Sequence, residues 1–132
     1  MTADRLYVVL GAVNGLAAVL LGAVGAHLLK GRVPAELMGA FETGAHYHGL
    51  HALALVAVGL ALSNWDSRWL RVAGVAFAAG ILLFSGSLYL LALTGVRWLG
   101  AVTPFGGTAL MVGWLALAVG AWRGAGDGRR RA

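Results

Sequence analysis

The chain has 132 residues, 60% of them hydrophobic and 11% charged, with a mean hydropathy of +0.82 and a formal net charge of +5. A soluble domain carries roughly 25% charged residues, so this composition excludes one and leaves room for a single small integral membrane domain, residues 1–132. Cysteine is absent, which excludes disulfides, thiolate metal sites, iron–sulfur clusters and cysteine nucleophiles. The basic residues are scattered at span ends without a DNA-reading motif, a pattern that suits anionic lipid headgroups rather than nucleic acid.

Four apolar stretches, about 6–29, 45–63, 70–94 and 104–122, hold no Lys, Arg, Asp or Glu in their cores. Each is close to the roughly 20 residues that cross about 30 Å of hydrocarbon as a helix. The expected fold class is therefore all-α: a four-transmembrane-helix bundle. The run 6–21 after Arg5 exceeds the usual signal-peptide core of about 7–15 residues, so it reads as a retained first helix. On that helix Gly11, Gly15, Ala18, Gly22 and Gly25 share an arc of roughly 80°, a face on which a neighbouring helix can approach closely. Asn14 lies near its middle and is expected to hydrogen-bond Ser85, Ser87 or Tyr89 of the third helix. His27 closes it.

Pro34 opens a short segment, 35–43, with Leu37, Met38 and Phe41 on one face and Glu36 and Glu42 lying away from Leu37 and Phe41. It reads as an interfacial helix between helices 1 and 2, lying on the outer surface. The second helix opens with His46, Tyr47, His48 and His51. With Glu42 these suggest a metal site, but helical geometry divides them: Glu42 and His46 on one face, His48 and His51 on another. His48, Ala52, Gly59 and Ser63 align on a small-residue stripe, while His51 shares its face with Leu55, Val58 and Leu62. His27, His48 and His51 converging across two helices would make a three-nitrogen site, and His27 facing His51 would suit a bis-histidine haem. The plainer reading has these imidazoles bonded to carbonyls, Tyr47 or Glu42. No cofactor is therefore expected, with haem or a divalent metal at His27/His51 as the alternative.

On the third helix Ala73, Ala76, Gly80, Ser87 and Thr94 form a further stripe, and Ser85-Gly86-Ser87 is a place where the helix can unwind and line a path. The connection 95–102 is expected to be irregular, with Thr103 capping and Pro104 opening the fourth helix. There Gly106, Gly113 and Gly120 recur every seven residues. Trp65, Trp69, Trp98 and Trp122 fall at span ends, as amphipathic rings do, and Trp114 alone lies mid-span. The tail 124–132, with Arg129, Arg130 and Arg131, is expected to be disordered. Counting that tail, seven basic residues lie on the side of the termini and three on the other, which places both termini in the cytoplasm.

The motifs Gly22-Ala23-Val24-Gly25-Ala26-His27, Glu42-Thr43-Gly44 with Tyr47 and His51-Ala52-Leu53-Ala54, Leu83-Phe84-Ser85-Gly86-Ser87-Leu88-Tyr89, and Thr103-Pro104-Phe105-Gly106-Gly107 with Gly113-Trp114 run through the chain in order. Together they resemble the YgdD/YwdK-like family of small bacterial inner-membrane proteins, a family of unknown function with eukaryotic relatives. The resemblance implies a four-span protein of the bacterial inner (plasma) membrane and no activity. His27, Thr43, Gly44, Tyr47, His51, Ser85, Gly86, Ser87, Tyr89, Thr103, Pro104 and Gly107 match the family pattern; His46 and His48 do not belong to it, and Val24 stands where Phe is more typical.

No nucleophile–base pair is visible, and no span core holds the carboxylate that a proton-coupled exporter needs. The expectation is a non-enzymatic subunit or accessory protein, packed through its glycine faces against lipid, another copy or a larger membrane complex. The alternatives are a His27/His51 ligand site and a small-solute channel lined by Asn14, Ser85 and Ser87.

Overall fold

A computed structural model describes residues 1–128, with side chains through Gly124. Helix α1 (Ala3–Val24) ends in a π-turn at Gly25–Leu29, α2 spans Ala35–Asn64, α3 spans Arg68–Gly80, a second π-turn (Ile81–Ser85) leads into α4 (Gly86–Thr94), and α5 spans Leu99–Gly128. These make four spans, Ala3–Leu29, Ala35–Asn64, Arg68–Thr94 and Leu99–Gly124. Helices are the required solution, because hydrocarbon offers no partner for an open backbone N–H or C=O. The short connections turn where the backbone allows it: Gly31 and Gly95 have φ of 82° and 70°, left-handed values that favour glycine. The N–H of Gly95 returns to Leu91 O at 2.8 Å and closes α4.

Three local expectations change. Residues 35–43 are helical but not a separate interfacial helix; they are the first turns of the unbroken α2. No helix breaker intervenes, and Gly44, where the break was expected, is buried against Leu88, Tyr89 and Ser85. At 1.5 Å per residue α2 is about 45 Å long, so its amphipathic start projects beyond the hydrocarbon instead of lying on it. Pro104 is inside α5, because N–H···O bonds from Leu99, Gly100 and Ala101 to Val96, Arg97 and Trp98 begin the helix earlier. The ring then removes only a bond to Gly100 in the second turn. Residues 124–128 continue α5 rather than forming a tail; Arg129–Arg131 lie outside the described residues.

Helix α2 is the hub: it contacts α1, α3, α4 and α5, whereas α1 packs on α2 and reaches α3 through Tyr7. Leu55, Val58, Ala73 and Phe77 are fully buried and, with Tyr7, Ala54, Ile81, Leu110 and Ala116, form the larger core; Leu70 is equally buried outside it. Met38, Phe41 and Ala92 form a second cluster.

The glycine faces are used selectively. A Cβ on Gly11 would lie 2.6–2.8 Å from Val56 and Ala52 O of α2, and one on Gly59 equally close to Asp4 O and Val8 of α1. The two backbones therefore meet through reciprocal glycines. Gly25 meets Phe41, Gly80 meets Leu110, Gly106 the backbone of Leu83 and Phe84, Gly113 the Phe77 ring and Gly120 Leu70. Gly15 and Gly22 depart from the expected packing face: nothing lies within 4 Å of where their Cβ would be. They share the helical arc with Gly11, but α2 packs along the edge of that arc that carries Gly11, Ala18 and Gly25.

Candidate functional site

The polar side chains of the spans form two directed hydrogen-bond chains, one on each side of α2. On the α1 side, His48 Nε2 lies 3.0 Å from Asn14 Oδ1 and His48 Nδ1 3.0 Å from the Tyr89 hydroxyl. Asn14 Nδ2 donates to Leu10 O at 2.8 Å. That bond commits the amide nitrogen, so Oδ1 must accept from His48 Nε2–H, and Nδ1 must accept from Tyr89 O–H. The chain Tyr89→His48→Asn14→Leu10 thus joins α4, α2 and α1 with one proton on each link. Asn14 reaches Tyr89 through His48, not directly as expected, and bonds neither Ser85 nor Ser87.

On the other side, His51 is 2% exposed. Its Nδ1 lies 2.7 Å from Tyr47 O, one turn back, and Trp114 Nε1–H donates to its Nε2 at 3.0 Å. A carbonyl can only accept and an indole N–H can only donate, so the imidazole is the Nδ1–H tautomer, opposite to His48. Aromatic rings enclose it: Tyr47 stacked at 5.9 Å, Phe77 at 5.6 Å and Trp114 edge-on at 5.8 Å, with Phe77 and Trp114 also edge-on at 5.1 Å. Offset and edge-to-face geometries of this kind favour the ring quadrupoles.

The serines complete the ties. The π-turn at Ile81–Ser85 carries Ser85 against α2, where its hydroxyl donates to Gly44 O at 2.7 Å. Ser87 Oγ pairs with Thr103 Oγ1 of α5 at 2.7 Å. The Ser85-Gly86-Ser87 stretch does not unwind; Gly86 N–H returns to Ile81 O in the longer π register.

Of the residues singled out in the sequence, Asn14, Tyr47, His48, His51, Ser85, Ser87 and Tyr89 are brought into these ties. Glu42 is exposed at the projecting start of α2. His27 is exposed on the π-turn of the first span, whereas His51 faces the third and fourth spans. The alternative, a convergence of His27 and His51, is not made, and both ring nitrogens of His51 are engaged. Among the described residues no three His, Asp or Glu side chains gather as a ligand set. Asn14, Ser85 and Ser87 each bond a different neighbour and line no common path. Two participants were not singled out by the sequence, Trp114 as a site residue and Thr103 as more than a cap. Trp114 carried a signal, being the one tryptophan away from a span end.

The family model described as "Protein of unknown function (DUF423)" matches residues 21–107, which include Tyr47, His48, His51 and Tyr89. The chain belongs to this family. It is 44% identical over 120 residues to the UPF0382 membrane protein YwdK of Bacillus subtilis strain 168, covering 89% of this chain and 96% of that protein. It is 40% identical to the UPF0382 inner membrane protein YgdD of Escherichia coli K12, over 91% and 92% of the two chains. A UPF0382 membrane protein of Staphylococcus saprophyticus is 40% identical over 90% and 98%. No solved structure matches. This DUF423 protein is thus an integral membrane protein of four apolar helices, in a family for which no specific function is named.

Proposed function

We propose that this DUF423 protein is a non-enzymatic subunit or accessory protein of the bacterial inner membrane, with both termini cytoplasmic. Its open α1 face docks on another membrane helix, from a second copy or a larger membrane complex. The observation that carries the reading is the unequal cover of the spans. Only 17% of the most apolar stretch of the first span is buried, against 44% for the third. On that uncovered surface stand Gly15 and Gly22, seven residues apart, with space for a helix backbone. Within lipid, close approach of this kind holds helices together. The interior polar groups support the same reading, since they satisfy one another across spans instead of facing a shared cavity. The basic residues at the end bearing the termini support the orientation.

The absence of native cysteine makes the test direct. Gly15→Cys and Gly22→Cys variants, oxidised in native membranes, are expected to give a cross-linked dimer or a discrete larger adduct; cysteines at Leu82 on the third span serve as the control. A protein that stays monomeric in mild detergent, with no co-purifying membrane partner and no α1 cross-link, would sink the subunit reading. A C-terminal phosphatase fusion is expected to be inactive and a fluorescent-protein fusion bright; the reverse would invert the orientation.

A further inference from the structure

We propose that Arg68, Trp69 and Arg123 form a binding site for the phosphate of an anionic phospholipid headgroup. Two cations from different spans meet on one aromatic ring. The Arg68 guanidinium carbon lies 5.3 Å from the centre of the Trp69 ring and that of Arg123 5.7 Å. The convergence is built by the fold. Gly120 allows α5 to close on Leu70 and Gly124 allows it to close on Trp65, whose Nε1–H donates to Gly120 O at 3.3 Å. This carries Arg123 to the start of α3, where Arg68 and Trp69 are adjacent. Trp69 is partly buried against the larger core, which keeps its ring in place as a platform.

Both charges lie within 5.7 Å of one ring centre, close enough to repel each other in dilute salt, where the Debye length is about 30 Å, and a shared anion relieves that repulsion. Among the side chains described, which end at Gly124, no carboxylate forms an ion pair with either guanidinium. The ion pairs join Arg71 to Asp66 at 2.9 Å and Arg97 to Glu36 at 3.8 Å. At the same end, Asp4 and Asp66 gather with Arg71 around a different cavity of about 240 Å³, to which Arg68 and Arg123 do not contribute.

The chemistry selects phosphate. Guanidinium presents planar N–H pairs that match phosphate oxygens. Both arginines are exposed, as is Trp122 beside Arg123 at 85%. An exposed tryptophan at the end of an apolar span marks the headgroup level, so a phosphodiester carried by lipid meets this site without leaving the bilayer. Zwitterionic lipids bring a phosphate with its own cation and cancel the attraction of a paired-arginine site; anionic lipids do not.

The test uses the full chain in a mild detergent, titrated with phosphatidylglycerol, cardiolipin, phosphatidylcholine or inorganic phosphate and read by native mass spectrometry. Wild type is expected to retain the anionic lipids about tenfold or more over phosphatidylcholine, a preference that weakens with salt. Arg68→Gln/Arg123→Gln is expected to bring the ratio near unity, Trp69→Leu to lower it severalfold, and Arg97→Gln at the opposite end to leave it unchanged. The double lysine variant, Arg68→Lys/Arg123→Lys, separates phosphate recognition from bare charge and is expected to keep only part of the preference. Monodisperse elution and unchanged helical circular dichroism certify the folded state of each variant. A wild-type ratio near unity, an unaltered ratio in the double Gln variant, or displacement of lipid by millimolar inorganic phosphate would overturn the lipid site.

Discussion

The two faces of α2 bury histidines three residues apart and use them in opposite ways. Toward α1 the contact is backbone to backbone through Gly11 and Gly59, and His48 joins side chains of two other spans, donating to one and accepting from the other. Toward α3 and α5 the contact is side chain to side chain, with His51 set against the rings of Phe77 and Trp114. His51 there spends one nitrogen on its own helix and one on Trp114. The first face is held by how near the helices come, the second by how well large rings fill the space between them. One helix thus carries two packing chemistries, and each histidine takes the tautomer its face demands.

The difference between the faces is most vulnerable at the glycines. Gly11→Leu or Gly59→Leu is expected to cost about 3 kcal/mol, at the upper end of overpacking effects, because the obstacle includes backbone atoms. Gly15→Leu and Gly22→Leu are expected to leave the stability of the isolated protein unchanged, which thermal unfolding in detergent checks. Next in size is His51→Leu, which strands the Trp114 N–H inside the protein and is expected to cost about 1–3 kcal/mol. His51→Leu combined with Trp114→Phe is expected to recover part of that loss.

The α1 face responds less to loss of its polar group. Asn14→Leu and His48→Leu are expected to show a coupling energy of about 0.6 kcal/mol in a double-mutant cycle, the average for polar pairs between membrane helices. Ser87→Ala, which removes one hydroxyl pair with Thr103, is expected to fall below that value and to mark the lower limit of measurable ties. The tautomers distinguish the faces without any loss of stability. Nitrogen-15 spectra are expected to show a protonated Nδ1 for His51 and a protonated Nε2 for His48, and a common tautomer would end the two-face account.

Much of this was legible in the order of residues, because lipid leaves few choices: uncharged runs of the right length become spans, and small residues mark where helices can touch. His48, Ala52 and Gly59 do face α1, and His51, Leu55 and Val58 do face the core, as the wheel divides them. The wheel gives an angle, however, and not the identity of the neighbour, so Gly15 and Gly22 looked the same as Gly11. It also assumes a constant turn. The π-turn at Ile81–Ser85 accommodates one extra residue and rotates α4 relative to α3, and Thr94, nominally aligned with Ala73, is exposed. Trp114 stood out only as a misplaced tryptophan, since its partner His51 lies 63 positions away and no local pattern connects them.

The near-exclusive pairing of α1 with α2 bears on how the protein enters the membrane. These spans are synthesised before the other two, and their interface lies almost wholly within that hairpin. Asn14 and His48 can therefore satisfy each other as soon as both reach the bilayer, before α3 exists, with Tyr89 added once α4 is made. His51 must await Trp114 from the last span, and meanwhile its bond to Tyr47 O, made within its own helix, shelters half of its polarity from lipid. The order of translation is thereby matched to the order in which these polar groups find partners, and neither buried histidine has to enter hydrocarbon wholly unattended.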